Sequence, residues 1–87
     1  MFYTYILYND HINKYYVGST NNLERRLQDH NRGKDRYTRQ AKEWSLVYFE
    51  KHETRSQAVT RESQIKRKKS RVFIESLIRD FGLEHPD

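Results

Sequence analysis

Apolar and polar positions fall into short blocks along this chain, each with its own period. Phe2 to Tyr8 is aromatic, aliphatic or β-branched throughout. Such a block predicts a strand covered on both faces. Asn9-Asp10-His11-Ile12-Asn13 has turn chemistry. Lys14 to Ser19 then reads as the returning strand of a hairpin. Gly18, at the end of that strand, marks a close backbone approach or an unusual dihedral. A third strand is predicted over Ser45 to Lys51, around Leu46, Val47, Tyr48 and Phe49.

Three other stretches carry helical spacing. Ser19-Thr20-Asn21 offers N-cap side chains, and Glu24 follows Asn21 by three positions, a loose capping box. The first helix is predicted from about Asn22 to Asn31, stopping at Gly33. Leu23 and Leu27 form its apolar stripe. Arg26 and His30, also one turn apart, flank that stripe and so belong at the edge of the buried surface. Thr54-Arg55-Ser56-Gln57 matches the capping box and opens a second helix, with Ala58, Val59 and Ile65 facing inward. A last helix is predicted from Arg71 to Phe81, with Phe73, Leu77 and Phe81 in line, Ile74 and Ile78 beside them, and Gly82 as its end. Lys34 to Glu43 is polar and basic, with a short helix expected around Tyr37 to Lys42. No repeat or linker interrupts the chain, so a single domain over residues 1–82 with a short tail at 83–87 is expected.

Composition narrows the class. The 87 residues allow one small domain, which folds alone but marginally. Only 34% of residues are hydrophobic and 33% are charged, so seven Tyr, four Phe and one Trp must supply much of the core area. The formal net charge of +5 favours polyanionic partners, nucleic acid or a membrane surface. With no cysteine, disulfides (including a disulfide-linked partner), thiol catalysis and cysteine-ligated zinc are excluded. Met1 to Tyr8 lacks the basic start of a signal peptide, and no run approaches the roughly 20 apolar residues of a membrane helix. A cytoplasmic protein without membrane partners is expected. Gly-rich phosphate loops, HExxH and Gly-x-Ser-x-Gly are absent. His11, His52 and His85 have no ligand-like neighbours in the sequence.

Several residues could carry chemistry. Glu62 stands one turn from Ala58 and from Ile65, where an apolar residue is expected. A carboxylate there either ion-pairs at the rim of the core or binds a cation. Arg26 is either a surface arginine or a fork of donors for a phosphate. His30 either packs near a helix end or exchanges protons or touches phosphate. Tyr5 and Tyr16 lie on paired strands and either fill the core with a bonded hydroxyl or, beside a cation and an arginine, shift toward phenolate and take a proton from water. Lys66, Arg67, Lys68, Lys69 and Arg71 form a basic run that either solvates a helix end or tracks phosphates. Tyr37 and Arg39 could contact bases and backbone, as could Arg25; Trp44 is read as core.

Tyr3-Thr4-Tyr5, Tyr16-Val17-Gly18, Ser19-Thr20, Asn22-Leu23, Arg26, His30 and then Glu62 within Arg61-Glu62-Ser63-Gln64-Ile65-Lys66 resemble, in that order, the GIY-YIG nuclease family. Gly33-Lys34 through Tyr37-Thr38-Arg39 resembles its small single-domain bacterial members. The resemblance covers about Phe2 to Lys69. It implies a compact α/β (α+β) domain with a small, mostly antiparallel three-stranded sheet flanked by helices, and the strand and helix readings agree. It further implies a metal-dependent endonuclease acting on DNA. Tyr5, Tyr16, Arg26, His30 and Glu62 would be the catalytic residues, with Glu62 the sole protein ligand of one Mg2+ or Mn2+. Tyr16 would be the general base, and Tyr5 would pack beneath it. Arg26 would hold the scissile phosphate, with His30 a second contact. Arg25, Tyr37, Arg39, Lys66, Lys68 and Lys69 are the candidate nucleic-acid contacts. The chain departs from the family pattern at Tyr3, in place of the first glycine, and at Ser19, where some relatives have lysine. Ile74 stands near the place of a downstream asparagine. The alternative is a catalytically inactive nucleic-acid-binding module.

Overall fold

The computed structural model describes residues 1–84. Its elements are β1 (Phe2–Asn9), β2 (Lys14–Thr20), α1 (Leu23–Asn31), a 3-10 turn (Thr38–Gln40), β3 (Ser45–His52), α2 (Arg55–Lys68) and α3 (Arg71–Glu84). The strands form one antiparallel sheet in the order β2-β1-β3. With three helices around it, this is the expected α+β architecture.

β1 is central, and Thr4, Tyr5, Ile6 and Leu7 are each at most 1% exposed. Side chains alternate along a strand, so the two faces of β1 feed two cores. Ile6 joins Val17, Tyr48 and Ile65, roofed by Phe73, Ile74, Leu77 and Ile78 of α3. Tyr5 and Leu7 join Trp44, with Leu23 and Leu27 of α1 packed against them. The β1–β3 register slips at Ile6/Leu7: Ile6 pairs with Tyr48, but Leu7 pairs with Leu46. This bulge shifts the side-chain phase of β3. Leu46 and Phe49 therefore reach the Trp44 core, while Tyr48 reaches the other.

The helix ends differ in detail from the sequence reading. The N-cap of α1 is Asn22, one residue after Asn21; its side chain accepts from the Arg25 N–H at 3.1 Å. At the other end Gly33 adopts φ +79°. Gly33 N–H donates to the His30 carbonyl and Lys34 N–H to that of Asp29, the Schellman arrangement that glycine favours. The Thr54–Gln57 capping box opens α2 as expected. Val59, however, is 44% exposed, so the inward stripe is Ala58 and Ile65 with Glu62 between them. Helix α3 continues through Gly82 to Glu84; glycine costs a helix only about 1 kcal/mol. Of the expected tail, Leu83 and Glu84 belong to α3, and residues 85–87 lie outside the described residues. The short helix expected at Tyr37 to Lys42 is a single 3-10 turn. It is held by Trp44 Nε1–H donating to the Thr38 and Ala41 carbonyls at 2.8 and 3.2 Å. No described helix is long and apolar enough to cross a membrane.

Tyr5 lies directly opposite Gly18 in the β1–β2 ladder. A Cβ on Gly18 would fall 2.5 Å from the Tyr5 hydroxyl oxygen and 2.7 Å from its Cζ. Glycine is thus required by a close approach: the Tyr5 ring crosses β2 where a side chain would stand. Gly18→Ala should displace that ring and cost roughly 1–3 kcal/mol of stability, the usual scale of overpacking. Denaturant unfolding of the variant should show a lower midpoint at unchanged slope.

Candidate active site

The Tyr5 ring that crosses Gly18 ends in a buried hydrogen-bond chain. Its hydroxyl lies 2.8 Å from His30 Nε2, and His30 Nδ1 lies 2.8 Å from Thr38 Oγ1. His30 is fully buried, as is Thr38. The sequence placed His30 at the edge of the buried surface. Instead α1 turns His30 fully inward and leaves Leu23 and Leu27 partly exposed. A buried imidazole has no exposed atom for a phosphate; it bonds the equally buried Tyr5 hydroxyl, and the Tyr16 ring centroid is 4.7 Å from its own. Burial, with Arg26 nearby, lowers the His30 pKa to about 4. The ring is therefore neutral at pH 7, donating through one nitrogen and accepting through the other. Burial also raises the Tyr5 pKa, with Tyr16 adding to it.

Closer to solvent, Tyr16 and Arg26 meet at a residue the sequence did not single out. The Tyr16 hydroxyl donates to Asp35 Oδ2 at 3.2 Å, and an Arg26 guanidinium nitrogen donates to the same oxygen at 3.3 Å. Asp35 Oδ1 accepts from the backbone N–H groups of Tyr37 and Thr38 at 2.8 and 3.4 Å. Burial acts to raise the Asp35 pKa, but those N–H groups, His30 and Tyr16 outweigh it and the net shift is downward. An Asp two residues before a turn is an Asx-turn signal, so its local role was readable; its long-range partners were not. The Tyr16 pKa is raised, by burial first and Asp35 second, with Arg26 acting in the opposite sense. The protein's own groups thus favour the neutral phenol; Arg26 acts toward phenolate as the sequence reading expected, and that reading also placed a bound cation beside the ring.

Glu62 approaches from α2 at the free edge of β2. Its Oε1 accepts from Ser19 Oγ at 2.7 Å and its Oε2 from Lys66 Nζ at 2.7 Å. The Lys66 amine also lies 5.8 Å from the Tyr16 ring centroid, so one lysine spans the carboxylate and the phenol. The Glu62 side chain is 20% exposed. The ion-pair reading of Glu62 is therefore realised, and so is its accessibility to an ion. Mg2+ binds through one or two carboxylates and keeps most of its waters. An all-oxygen edge made of Glu62 and Ser19 fits that chemistry. Among the described residues no group of three His, Cys, Asp or Glu gathers as a metal site. An ion here would rest on one protein carboxylate. His11 and His52 do have acidic neighbours, Glu43 at 2.9 Å and Glu50 at 3.3 Å; His85 lies outside the described residues.

The candidate nucleic-acid contacts separate in space. Lys66, Lys69 and Tyr37 line a groove of about 620 Å³ that begins at Tyr16 and runs between β2 and the α2–α3 corner. Lys68 does not share it: α2 ends at Lys68, and that amine lies 5.2 Å over the Phe73 ring. Arg71 lies 4.8 Å over the Tyr15 ring and donates to the Asn13 carbonyl at 3.0 Å, so it ties α3 to the hairpin. The basic run is thus not one outward face, because the chain turns a corner within it. Arg25 lines a small cleft with Asn22, Arg26 and Asp29 at the start of α1, and Arg39 is exposed on the 3-10 turn.

A family model of the GIY-YIG catalytic domain matches residues 1–75. The chain belongs to this family of nucleases. It is similar to a UPF0213 protein of Bacillus velezensis, 41% identical over 78 residues, which covers 85% of this chain and 77% of that protein. A UPF0213 protein of Haloquadratum walsbyi is 46% identical over 52 residues, or 59% and 58% of the two chains. One of Clostridium perfringens is 47% identical over 53 residues, or 60% and 57%. The chain thus spans less than two thirds of the last two. No solved structure matches it significantly.

The depressed His30 pKa sets a pH dependence. Between about 4 and the unfolded value near 6.5, the unfolded chain binds a proton that the folded one does not. Stability should therefore fall as pH drops from about 6.5 to about 4, by up to roughly 3 kcal/mol. Denaturant melts between pH 7 and pH 4 should show this decline, and His30→Gln should flatten it.

Proposed function

We propose that this protein is a metal-dependent endonuclease that hydrolyses DNA phosphodiester bonds with little sequence specificity and works in the cytoplasm. The observation that carries this reading is that Tyr16 of the edge strand β2 shares Asp35 with Arg26 of α1 and is linked through Lys66 to Glu62 of α2. Arg26 is about a third exposed, and its guanidinium presents charged donors to phosphate oxygens and to charge that develops on them. Tyr16 donates its hydroxyl proton to Asp35, leaving its oxygen lone pairs for an attacking water. Tyr5 and His30 act behind it: they hold the Tyr16 ring and keep the layer beneath it neutral. A Mg2+ or Mn2+ ion on Glu62 would supply positive charge to the phosphate and the leaving 3′ oxygen. Tyr37, Lys66 and Lys69 flank this site as nucleic-acid contacts, with Arg25 beside Arg26 on α1 and Arg39 on the 3-10 turn as further ones.

The Lys66–Glu62 pair favours a second reading, in which Glu62 is structural and the protein only binds nucleic acid. One experiment separates the two. Labelled DNA is incubated with the protein in Mg2+, Mn2+ or EDTA, beside Glu62→Gln. The nuclease reading expects cutting by the parent protein with metal and none in EDTA or by Glu62→Gln. Because Lys66 is half exposed, losing that pair should cost no more than about 1 kcal/mol of stability. A Glu62→Gln protein that cuts normally would sink the metal role.

The arginines give a further test. Arg26→Ala should lower the single-turnover rate about a hundred- to a thousandfold. Arg25→Ala, at an exposed position, should lower it far less. Equal losses would reduce both to general electrostatics.

A further inference from the structure

We propose that the groove between β2 and the α2–α3 corner seats an unpaired stretch of DNA leading away from the scissile phosphate. This rests on the nuclease reading of the neighbouring site, since Tyr16 and Lys66 belong to both. Lys14, Lys66, Lys69 and Arg71 line it together with Tyr15, Tyr16 and Tyr37; among the described residues none that lines it is acidic. A polyanion is the occupant that such charge fits.

The corner itself aims the charge. Lys69 adopts φ 48°, in the left-handed region, where α2 ends. Lys69 lines the groove, while the Lys68 amine lies over the Phe73 ring and does not. The rings decide the form of the nucleic acid. Tyr37 is 39% exposed, and its ring centroid is 5.7 Å from that of Tyr16. Base faces can stack on such rings only when they are free of a duplex stack, and stacking of this kind is tolerant of sequence. A duplex would offer the groove phosphates and base edges alone. The groove thus favours an unpaired strand over paired DNA of the same sequence.

The test uses Glu62→Gln protein, fluorescein-labelled single-stranded DNA and the matching duplex, titrated over a range of salt. Each phosphate contact on a single strand contributes about 0.7 to the slope of log affinity against log salt. Lys14→Gln with Lys69→Asn (asparagine tolerates the left-handed turn) should lower that slope by roughly 1.4. Lys51→Gln lies on β3, the opposite edge of the sheet from β2, and should leave it unchanged. Tyr37→Leu should weaken single-strand binding roughly tenfold or more, and Tyr37→Phe, which keeps the ring, should restore it. An unchanged slope in the Lys14/Lys69 variant would overturn the groove as the path. Duplex bound as tightly as the single strand would overturn the unpaired state. Cutting by the parent protein in Mn2+ is read separately. Groove-dependent binding without cutting would overturn the nuclease reading and leave the groove standing. Cutting with a groove-independent slope would do the reverse.

Discussion

A tyrosine ring laid across a neighbouring strand at a glycine is the constraint on which this molecule turns. Tyr5 can cross β2 only because Gly18 has no Cβ to meet it. Its hydroxyl then reaches His30, and His30 reaches Thr38. Three elements are joined in this way: the central strand, α1 and the 3-10 turn. Trp44 holds the turn from below through its indole N–H, and Asn31 bonds both the N–H and the carbonyl of Trp44 at 2.7 and 3.2 Å. Asp35, three residues before Thr38, is delivered to Tyr16 and Arg26 as a consequence. A buried polar chain whose members are all bonded rigidifies its surroundings; one left half satisfied would be costly.

Charge is layered over that base. The deepest titratable groups, Tyr5 and His30, are both shifted toward their neutral forms by burial. Among the described residues, Asp, Glu, Lys and Arg side chains stand only where water can reach them. Asp35 is shared by Arg26 and Tyr16, and Glu62 is shared by Lys66 and Ser19. Each acid at the rim therefore has a basic partner that a phosphate could also satisfy. Ion pairs of this exposure contribute little to stability, so their arrangement constrains ligand binding more than folding. A second acid–base cluster, in which Arg61 bonds Glu50 at 3.0 Å and Tyr48 also donates to Glu50, lies across the α2–β3 junction and serves packing there.

Much of this was written in the sequence. Strand and helix periods located all three strands and all three helices. The Thr54–Gln57 capping box and the Gly33 stop follow from local backbone chemistry, which needs no partner. Glycine at position 18 and a carboxylate within an apolar stripe also stood out, because each violates its immediate pattern. Trp44 was read as core, and it is 2% exposed. The order of Tyr, Gly, Arg, His and Glu types along the chain was enough to point to the family.

Tertiary structure decided what depends on partners distant in the chain. Gly18 is explained by contact with Tyr5, not by its own dihedral. His30 and Val59 lie on helices whose stripes left their rotation open, and packing turned one fully inward and the other out. Asp35 looked like an ordinary turn residue until α1 and β2 brought Arg26 and Tyr16 to it. The run from Lys66 to Arg71 is contiguous in sequence, yet the left-handed residue at its centre sends its charges to different surfaces. Periodicity reports which face of an element is buried; it carries no information about which element covers that face, and the chemistry here arises between elements.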